Sequence, residues 1–392
     1  MMKNCFYIGN GRIVLPEGVV ENGSLLVEDG KITGVNLPCP ENVEFVDAKG
    51  GYILAGFIDI HVHGGGDADL MDVSPEAIRT MAQAHCRFGT TALVPTTMTC
   101  PDEVLEATID TYTSIAEEPT GGAQVLGLHL EGPFFSSASK GAQPISEERV
   151  PTREYLERIL KRAQGHILRW DAAPELPNME LFAQVMKENG VLCSLAHSGC
   201  VAAQATQAFQ WGFSHVTHFY NACTTYRKIS GLMYSGIIEA TYLNDDVTVE
   251  LISDGRHIPK ESMLLAHKIK GPDKMCLITD AMRAAGTNDE YSILGPRVGG
   301  TPVVIKDDVA QLTNLVSYAG SICTMDRCLR TAHCSYGIPL HEVSRMLSLT
   351  PARLMKVSDK KGSLEIGKDA DIVLMTPDFQ VDQVYVMGSR MN

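Results

Sequence analysis

The stretch "FIDIHVHGGGD" (residues 57–67) decides the fold and raises the question of function. Apolar residues dominate its first half, a His-x-His pair follows, and a run of glycines leads to its end. Because side chains on a strand alternate between faces, His61 and His63 point the same way. The pair fits a metal site at the mouth of a sheet, but it also fits two surface histidines near a loop. The surrounding sequence has to separate these interpretations.

Seven more segments of this kind follow, each a short apolar strand that runs into polar residues. Amphipathic helical stretches alternate with them, for example "SPEAIRTMAQAHCRFG" (74–89) and "PTREYLERILKRAQG" (151–165). Alternating strands and helices predict a parallel sheet, and eight such units predict an α/β fold, a closed (β/α)8 TIM-like barrel. An open doubly wound sheet is the alternative, but "GGGD" does not fit its G-x-G-x-x-G turn. The eight segments are "FIDIHVH" (57–63), "TALVPTT" (91–97), "VLGLHLEGP" (125–133), "ILRWDAAPE" (167–175), "VLCSLAHS" (191–198), "HVTHFYNA" (215–222), "TVELISDGRH" (248–257) and "MCLITDAM" (275–282).

Both ends of the chain differ from this middle. "FYIGNGRIVL", "GSLLVEDGKITGV" and "VEFVDAKGGYILAG" combine β-branched or aromatic residues with turn residues, and "KDADIVLMTPDFQVDQVYVMGSRM" returns to this pattern. We therefore predict a small β-sandwich domain built from both termini, residues 1–55 plus 356–392, beside a barrel over 56–355.

Composition excludes several classes of function. A formal net charge of −14 argues against a nucleic-acid surface, although a few local cations could still bind a small anionic substrate. No window reaches the roughly 18–20 uninterrupted apolar residues of a membrane span, and from the first residues of the sequence we expect no secretion signal. Eleven cysteines without a C-x-x-C pair indicate reduced thiols, and hence a cytoplasmic protein.

Functional residues of such a barrel gather at the C-terminal ends of its strands. Imidazoles and carboxylates stand there in this sequence, and both suit Zn²⁺, Fe²⁺ or a similar divalent metal. Each has an ordinary structural explanation, such as a helix cap for Asp280 and His197, a turn for Glu131 or a core histidine for His218. Their joint placement favours a metal site. The residues are His61, His63, Glu131, His197, His218, Asp254, His257 and Asp280.

Several longer motifs resemble the amidohydrolase superfamily and, within it, the N-acetylglucosamine-6-phosphate deacetylase family. The combination of "HLEGPF", "TDAM" with "AAG", and "AGS" with "TMD" is specific to that family, and the resemblance runs nearly end to end. The motifs are "AGFIDIHVHG" (55–64), "GLHLEGPF" (127–134), "AHS" (196–198), "THFYNA" (217–222), "DGRH" (254–257), "ITDAMRAAG" (278–286), "YAGSICTMD" (318–326), "SLTPARLM" (348–355) and "KGSLEIGKDADIVLMTPDF" (361–379).

The resemblance implies a metal centre of one or two divalent ions per subunit. Glu131, His197 and His218 would hold one ion. His61 and His63 would hold a second, with Glu131 bridging and Asp280 assisting. Asp280 would be the general base that takes a proton from the attacking water and then delivers it to the leaving amine.

The resemblance also implies a substrate site and a homodimer. The phosphate would be bound by the backbone of Asn221 and Ala222, by His257, and by Arg227 reaching across from the neighbouring subunit. An arginine fork suits phosphate oxygens. Further substrate-binding positions are Ala142, Gln143, Asp254, Tyr318, Ala319 and Gly320, of which the last three would line the pocket around the acetyl group.

Three departures from the family pattern surround the sugar and phosphate positions. Gln143 stands where the family has a histidine that polarises the substrate carbonyl, and an amide cannot carry charge. Either a second metal ion takes over this role or the substrate differs. Tyr318 replaces an aliphatic residue, and "RKISG" (227–231) replaces an arginine followed by Glu-Pro-Gly.

Three functions remain open on the sequence. The first is metal-dependent hydrolysis of the acetamide of N-acetyl-D-glucosamine 6-phosphate to D-glucosamine 6-phosphate and acetate, a step of amino-sugar catabolism. The second keeps the chemistry but acts on N-acetylgalactosamine 6-phosphate or another N-acyl amine. The third is a non-catalytic sugar-phosphate-binding protein, because fold does not dictate function.

Overall fold

The computed structural model of the chain describes residues 5–145 and 147–392, so the first four residues of the predicted small domain lie outside it. The N-terminal part is made of strands alone. They are β1 (Cys5–Leu15), β2 (Gly18–Glu28), β3 (Lys31–Val35), β4 (Glu44–Asp47) and β5 (Tyr52–Ala55).

The middle of the chain alternates strands and helices. Its strands are β6 (Phe57–Val62), β7 (Gly64–Gly65), β8 (Ala68–Asp69), β9 (Thr90–Pro95), β10 (Gln124–Val125), β11 (Leu128–Phe134), β12 (Ile167–Ala172), β13 (Leu192–Leu195), β14 (His215–Val216), β15 (Arg227–Ile229), β16 (Leu232–Tyr234), β17 (Thr248–Ile252) and β18 (Met275–Ile278). Its helices are α1 (Pro75–Cys86), α2 (Asp102–Ile115), α3 (Arg153–Arg162), α4 (Met179–Glu188), α5 (Ala202–Trp211), α6 (Ile237–Tyr242) and α7 (Lys260–Lys270).

The last third of the chain adds further strands and shorter helices. The strands are β19 (Tyr291–Leu294), β20 (Thr301–Lys306), β21 (Val309–Leu312), β22 (Ile372–Met375), β23 (Val381–Val386) and β24 (Ser389–Arg390). The helices are α8 (Met325–Arg330), α9 (Leu340–Ser344) and α10 (Thr350–Leu354). Short 3-10 helices lie at Leu70–Asp72 and Ser137–Ser139. The π-helical segment Thr331–Ser335 continues α8, and Arg345–Leu349 connects α9 to α10.

The two ends of the chain share one sheet. Its strand order is β24-β23-β22-β5-β1-β2-β3, and β4 pairs with β1. The C-terminal strand β22 pairs antiparallel with β5, which lies directly before β6 in the sequence. A separate apolar cluster, which includes Ile8, Leu25 and Ile372, packs on this sheet.

The eight predicted strand segments each contain a strand of a parallel array. One set pairs in the order β10-β9-β6, and the other in the order β11-β12-β13-β14-β17-β18. Isolated parallel bridges connect the sets, Thr96 with His129 and Val62 with Ala281. All residues of β6, β9, β11 and β17 are buried, as expected of strands covered by helices. The predicted mixed α/β fold is confirmed.

Local sequence explains where the covering helices begin. Pro75 occupies the first turn of α1, where its missing N–H costs nothing. Thr152 caps α3, because its side chain accepts a hydrogen bond from the backbone N–H of Tyr155. Leu156 and Ile159 on the same helix are buried, whereas its arginines remain near the surface. The large apolar cluster between helices and parallel strands follows from this amphipathic pattern.

Three antiparallel features interrupt the alternation and were not predicted, the first being the short pair of β7 and β8 after β6. Strands β15 and β16 form a hairpin after β14, and β19, β20 and β21 form a three-stranded sheet after β18. Over residues 5–145 and 147–392, no helix is long and apolar enough to cross a membrane.

Candidate metal centre

The strand ends deliver the predicted ligand residues to one edge of the parallel array. His61 lies in β6, His63 directly after it, and Glu131 in β11. His197, His218 and Asp280 each stand two residues past the end of β13, β14 and β18. These three have positive φ values of 44°, 28° and 49°, which residues other than glycine seldom adopt. Such strained backbone is typical of functional sites.

Glu131, His197 and His218 form the first group of ligand candidates. The Nε2 atoms of His197 and His218 lie 3.1 and 3.2 Å from Glu131 Oε1. The two Nε2 atoms are 3.1 Å from each other. All three residues are buried, so the structure brings together side chains separated by up to 87 positions in the sequence.

His61, His63 and Asp280 form the second group. The Nε2 atom of His63 lies 3.2 Å from Asp280 Oδ1, and that of His61 lies 3.5 Å from the same oxygen. Glu131 connects the groups, because its Oε2 is 3.4 Å from His63 Nε2 and its Oε1 is 3.7 Å from His61 Nε2. One carboxylate therefore faces both groups, with Oε1 near members of each and Oε2 near His63.

The four imidazoles present Nε2 to the centre and use Nδ1 elsewhere. An Nδ1–H that donates to a carbonyl or carboxylate leaves the Nε2 lone pair free to bind a metal. The Nδ1 partners are Glu250 Oε1 for His61 (2.7 Å), Thr96 O for His63 (3.2 Å), Ser139 O for His197 (3.0 Å) and Asn221 O for His218 (3.0 Å).

The electrostatics of the centre favour a positive charge. Burial disfavours the charged imidazole of His63, yet the hydrogen bond with Asp280 and the charge of Glu131 raise its pKa to about 9. Burial likewise opposes the charged form of His218, but Glu131 raises its pKa to about 9. Burial alone would raise the pKa of Asp280, but the charge of His61 and the hydrogen bond with His63 lower it. The carboxylates are held ionised in a pocket that attracts a cation.

The residues present fit a divalent metal. His61 Nε2 is buried and has no hydrogen-bond partner within the described residues, although it faces the other ligand atoms. In each group the ligand atoms lie within 4.8 Å of one another. Converging lone pairs repel each other unless a cation or proton lies between them, and imidazole with carboxylate is a usual ligand set for zinc or iron.

A cavity opens above the two groups. Most of the predicted substrate residues line it, namely Ala142, Gln143, Asn221, Ala222, His257, Tyr318 and Gly320. Ala319 is buried between two of these positions, and the cavity lining does not include Asp254 or Arg227. Sequence reasoning missed five lining residues, Met98, Gly141, Ile252, Leu294 and Ser317. Gly141 and Ser317 had a signal, their places beside Ala142 and Tyr318.

Gln143 contacts a ligand candidate directly. Its Nε2 donates to Glu131 Oε2 at 2.5 Å, and its Oε1 accepts from the backbone N–H of Thr99 at 2.9 Å. The side chain is buried. Because the Thr99 bond fixes which end of the amide is the oxygen, the NH2 group is held toward Glu131.

Asp254 acts on the cavity through His257. Its carboxylate accepts from the His257 ring Nδ1 at 2.7 Å and from the backbone N–H groups of Arg256 and His257 at 2.8 and 2.9 Å. Burial alone would raise the pKa of Asp254, but the hydrogen bond from His257 lowers it. The His257 ring also packs against Tyr318, with ring centroids 4.7 Å apart. The two rings form one wall of the cavity.

Arg227 lies in the β15–β16 hairpin and donates to the backbone carbonyl of Gly199 within its own chain. Its buried Nε has no hydrogen-bond partner in the described part of the chain. The hairpin carries the exposed apolar side chains of Leu232 (63%) and Met233 (50%), and Tyr226 (62%) directly before it is also exposed.

Comparison with known proteins agrees with this geometry. The model of the amidohydrolase family matches residues 52–391. An N-acetylglucosamine-6-phosphate deacetylase of Lysinibacillus sphaericus is 32% identical over 383 residues, which are 97% of this chain and 96% of that protein. An N-acetylgalactosamine-6-phosphate deacetylase of Escherichia coli O157:H7 is 31% identical, over 96% of this chain and 97% of that protein.

A solved structure is similar over the same extent. The crystal structure of N-acetylglucosamine-6-phosphate deacetylase from Pasteurella multocida superposes with a TM-score of 0.90 at 30% identity, and covers 98% of this chain and 99% of its own. The chain therefore belongs to the amidohydrolase family and, within it, to the N-acetylglucosamine-6-phosphate deacetylase family.

Proposed function

We propose that this protein hydrolyses the acetamide of N-acetyl-D-glucosamine 6-phosphate to D-glucosamine 6-phosphate and acetate, as a step of amino-sugar catabolism. The observation that carries the proposal is the convergence of Glu131, His197 and His218 on one side and His61, His63 and Asp280 on the other, at the floor of one cavity. The names of the relatives support the same substrate class.

We propose one or two divalent ions per subunit, zinc, iron or similar. One ion would be held by Glu131, His197 and His218, and a second by His61, His63 and Asp280, with Glu131 shared between them. A divalent ion bound there supplies Lewis-acid polarisation of the reacting water and of the acetamide carbonyl.

Asp280 moves the protons of the reaction in this proposal. Its ionised carboxylate accepts a proton from the water as the water oxygen attacks the acetamide carbon. The carbon–nitrogen bond then breaks, and Asp280 gives that proton to the nitrogen, so that the sugar leaves as a neutral amine. The lowered pKa of Asp280 supports a base that is ionised before the reaction begins.

The cavity wall orients the substrate. The backbone of Asn221 and Ala222 and the His257 ring would face the phosphate side, whereas Tyr318 and Gly320, with Ala319 buried between them, would face the acetyl group. Asp254 contributes by fixing the His257 ring.

The side-chain NH2 group of Gln143 has two N–H donors, and each would have its own acceptor. One N–H of the NH2 group donates to Glu131, which leaves the second for the substrate carbonyl. Gln143 would thereby replace the family's carbonyl-polarising histidine without carrying charge, together with a bound metal ion. Ala142 lies beside it at the cavity wall.

Acetate release from N-acetylglucosamine 6-phosphate by metal-loaded protein tests the function. We expect turnover, with a higher kcat/KM for this substrate than for N-acetylgalactosamine 6-phosphate. The ratio of the two kcat/KM values is the measurement, since it reports how much better the site binds one transition state than the other. A preference for the galactosamine epimer would favour the alternative that Gln143 and Tyr318 select another substrate. No turnover of any N-acetyl amino-sugar phosphate at millimolar concentration, with sugar phosphate still bound, would indicate the non-catalytic alternative.

We also propose a homodimer in which Arg227 reaches the phosphate bound by the neighbouring subunit. The exposed apolar side chains of the hairpin support an interface there, because contiguous exposed apolar surface marks interaction sites. The position of Arg227 outside its own cavity is consistent with a role in trans.

Hybrid dimers test this arrangement. Arg227→Ala should lower kcat/KM by roughly 10- to 100-fold, since a charge-assisted hydrogen bond contributes about 1.5–3 kcal/mol. A hybrid of one Arg227→Ala subunit with one Asp280→Asn subunit should regain about half of the wild-type activity, since one site then keeps both residues. The matched control is Lys228→Ala, which removes a neighbouring exposed cation of the same hairpin. A hybrid as inactive as its parents would place Arg227 in its own subunit.

The finer architecture is part of the same proposal. The bridges between Thr96 and His129 and between Val62 and Ala281 support a barrel closed by eight strands over residues 56–355. The shared terminal sheet and its own apolar cluster support a small β-sandwich domain from 1–55 plus 356–392. The cytoplasm is the proposed location, which the eleven cysteines support.

A further inference from the structure

Glu250 is a fully buried carboxylate in the middle of β17, directly beneath the metal centre. Its Oε1 accepts from His61 Nδ1 at 2.7 Å and from the backbone N–H of His218 at 3.3 Å. It therefore touches one residue of each ligand group, although no substrate-facing surface includes it.

Arg169 on β12 holds this carboxylate in place. Both terminal nitrogens of the guanidinium donate to Glu250, Nη2 to Oε1 at 2.7 Å and Nη1 to Oε2. The Nε2 atom of His215 lies 3.3 Å from Oε2. Burial alone would raise the pKa of Glu250, but the charge of Arg169 holds it well below its usual range. The side chain is an anion with a fixed orientation.

This arrangement is costly for a role in packing alone. Burying an ion pair costs the hydration free energy of both charges, and their mutual attraction offsets this cost only when the geometry is good. Apolar residues of similar size usually stabilise a core at least as well. A buried anion at His61 Nδ1 has a specific effect, since it keeps the proton on Nδ1, orients the ring and raises the basicity of Nε2. Nε2 is the atom that faces the second ligand group without a hydrogen-bond partner among the described residues.

We propose that Glu250, fixed by Arg169, is a positioning residue that presents His61 Nε2 to a divalent ion and so determines the affinity of the His61, His63 and Asp280 group. The inference rests on the proposed metal centre. It assigns to Glu250 and Arg169 a function that neither the strand-end pattern nor the family motifs gave them.

Metal titration of the apoprotein with Glu250→Gln tests the role. The amide has no charge and one acceptor oxygen, so it can keep the bonds that Oε1 makes with His61 and Arg169, but its NH2 group cannot accept from Arg169 Nη1 as Oε2 does. We expect two Zn²⁺ ions to bind the wild-type chain in competition with a chromophoric chelator. In the variant, we expect one of them to bind about 10- to 100-fold more weakly while the other is nearly unchanged.

The control is Asp171→Asn, which removes a carboxylate that is equally buried and binds the same Arg169. Asp171 contacts Arg169, Thr217 and His129, none of which is a ligand candidate. We expect both variants to lower the melting temperature, but only Glu250→Gln to weaken one of the two ions selectively. Should Glu250→Gln not fold, Arg169→Lys, which keeps the charge but loses the fork, should weaken the same ion to a smaller extent.

Two results would overturn the proposal. One is a wild-type chain that binds a single ion, and the other is an equal loss of affinity in Glu250→Gln and Asp171→Asn. The titration uses zinc alone and no substrate. A failure of acetate release would therefore contradict the proposed reaction and leave this inference standing, whereas an unselective titration would contradict the inference and leave the reaction standing.

Discussion

Asp280→Asn is expected to lower kcat by roughly 10³- to 10⁴-fold, since general acid–base catalysis contributes at about that scale and Asp280 serves as both base and acid. Asparagine keeps the shape and one oxygen near His63, but it cannot take a proton from water or return it to the leaving nitrogen. Because the asparagine oxygen can still act as a ligand although the charge is lost, we expect the ion of Glu131, His197 and His218 to stay bound and the ion of His61, His63 and Asp280 to bind more weakly. The measurement is acetate release at saturating substrate, together with elemental analysis of the purified variant.

Asp326→Asn is the control for this substitution. Asp326 is also a buried carboxylate, but it binds Thr324 and Arg330 instead of the cavity residues. Its variant should keep kcat within about tenfold of the wild type, since it touches no group in the proposed reaction. Substantial activity in Asp280→Asn with full metal content would show that another residue is the base.

Glu131→Gln should abolish activity by a different route, through loss of metal. Glu131 is the only ligand candidate that faces both groups, with Oε1 toward His197 and His218 and Oε2 toward His63. Replacing it removes a negative charge from the centre and leaves an amide that offers one acceptor. We expect the bound metal to fall below half of the wild-type content, and kcat/KM to fall by about 10³-fold or more.

Chelation followed by repletion separates this effect from misfolding. Wild-type apoprotein should regain activity when zinc is returned, whereas Glu131→Gln should stay inactive and gain no thermal stability from added zinc. Glu342→Gln is the matched control, because that glutamate pairs with His267 outside the cavity. A Glu131→Gln variant that keeps its metal and fails only in turnover would assign Glu131 to the chemistry instead of to metal binding.

The strand ends could be predicted from the sequence, because short apolar strand segments and amphipathic helical segments alternate along the middle of the chain. Buried parallel strands are short apolar runs, and the polar residue that follows each run must lie at the same edge of the array. His197, His218 and Asp280 follow this rule at the same spacing, two residues beyond their strands. The rule cannot give distances, so the position of Glu131 between the two groups follows from the structure and the family resemblance and not from the strand pattern.

The strand-end pattern does not predict charged residues inside the array that contact the ligand candidates. Glu250 and Arg169 stand within apolar segments, "TVELI" and "ILRWDA", where a charge is unusual. A charged residue in an apolar strand segment is a signal, but Arg169 and Glu250 are 81 positions apart and no local sequence pattern pairs them. Gln143 was placed at the substrate by motif alone, and its bond with Glu131 depends on a loop conformation that periodicity does not encode. The alternation of strands and helices does not predict the antiparallel strands β19 to β21, because they are an insertion after β18 that belongs to no strand–helix unit.

The sheet shared by the two termini has a consequence for how the chain is made. Strand β5 lies between β1 and β22, yet β22 leaves the ribosome more than three hundred residues after β5. Throughout that interval of synthesis the nascent N-terminal strands expose an unpaired edge, which is the kind of surface that invites aggregation. Strand β5 leads directly into β6, which bears His61, the first of the ligand candidates to be translated. The pairing that supports β5 is therefore completed only when β22, near the end of the chain, has been translated.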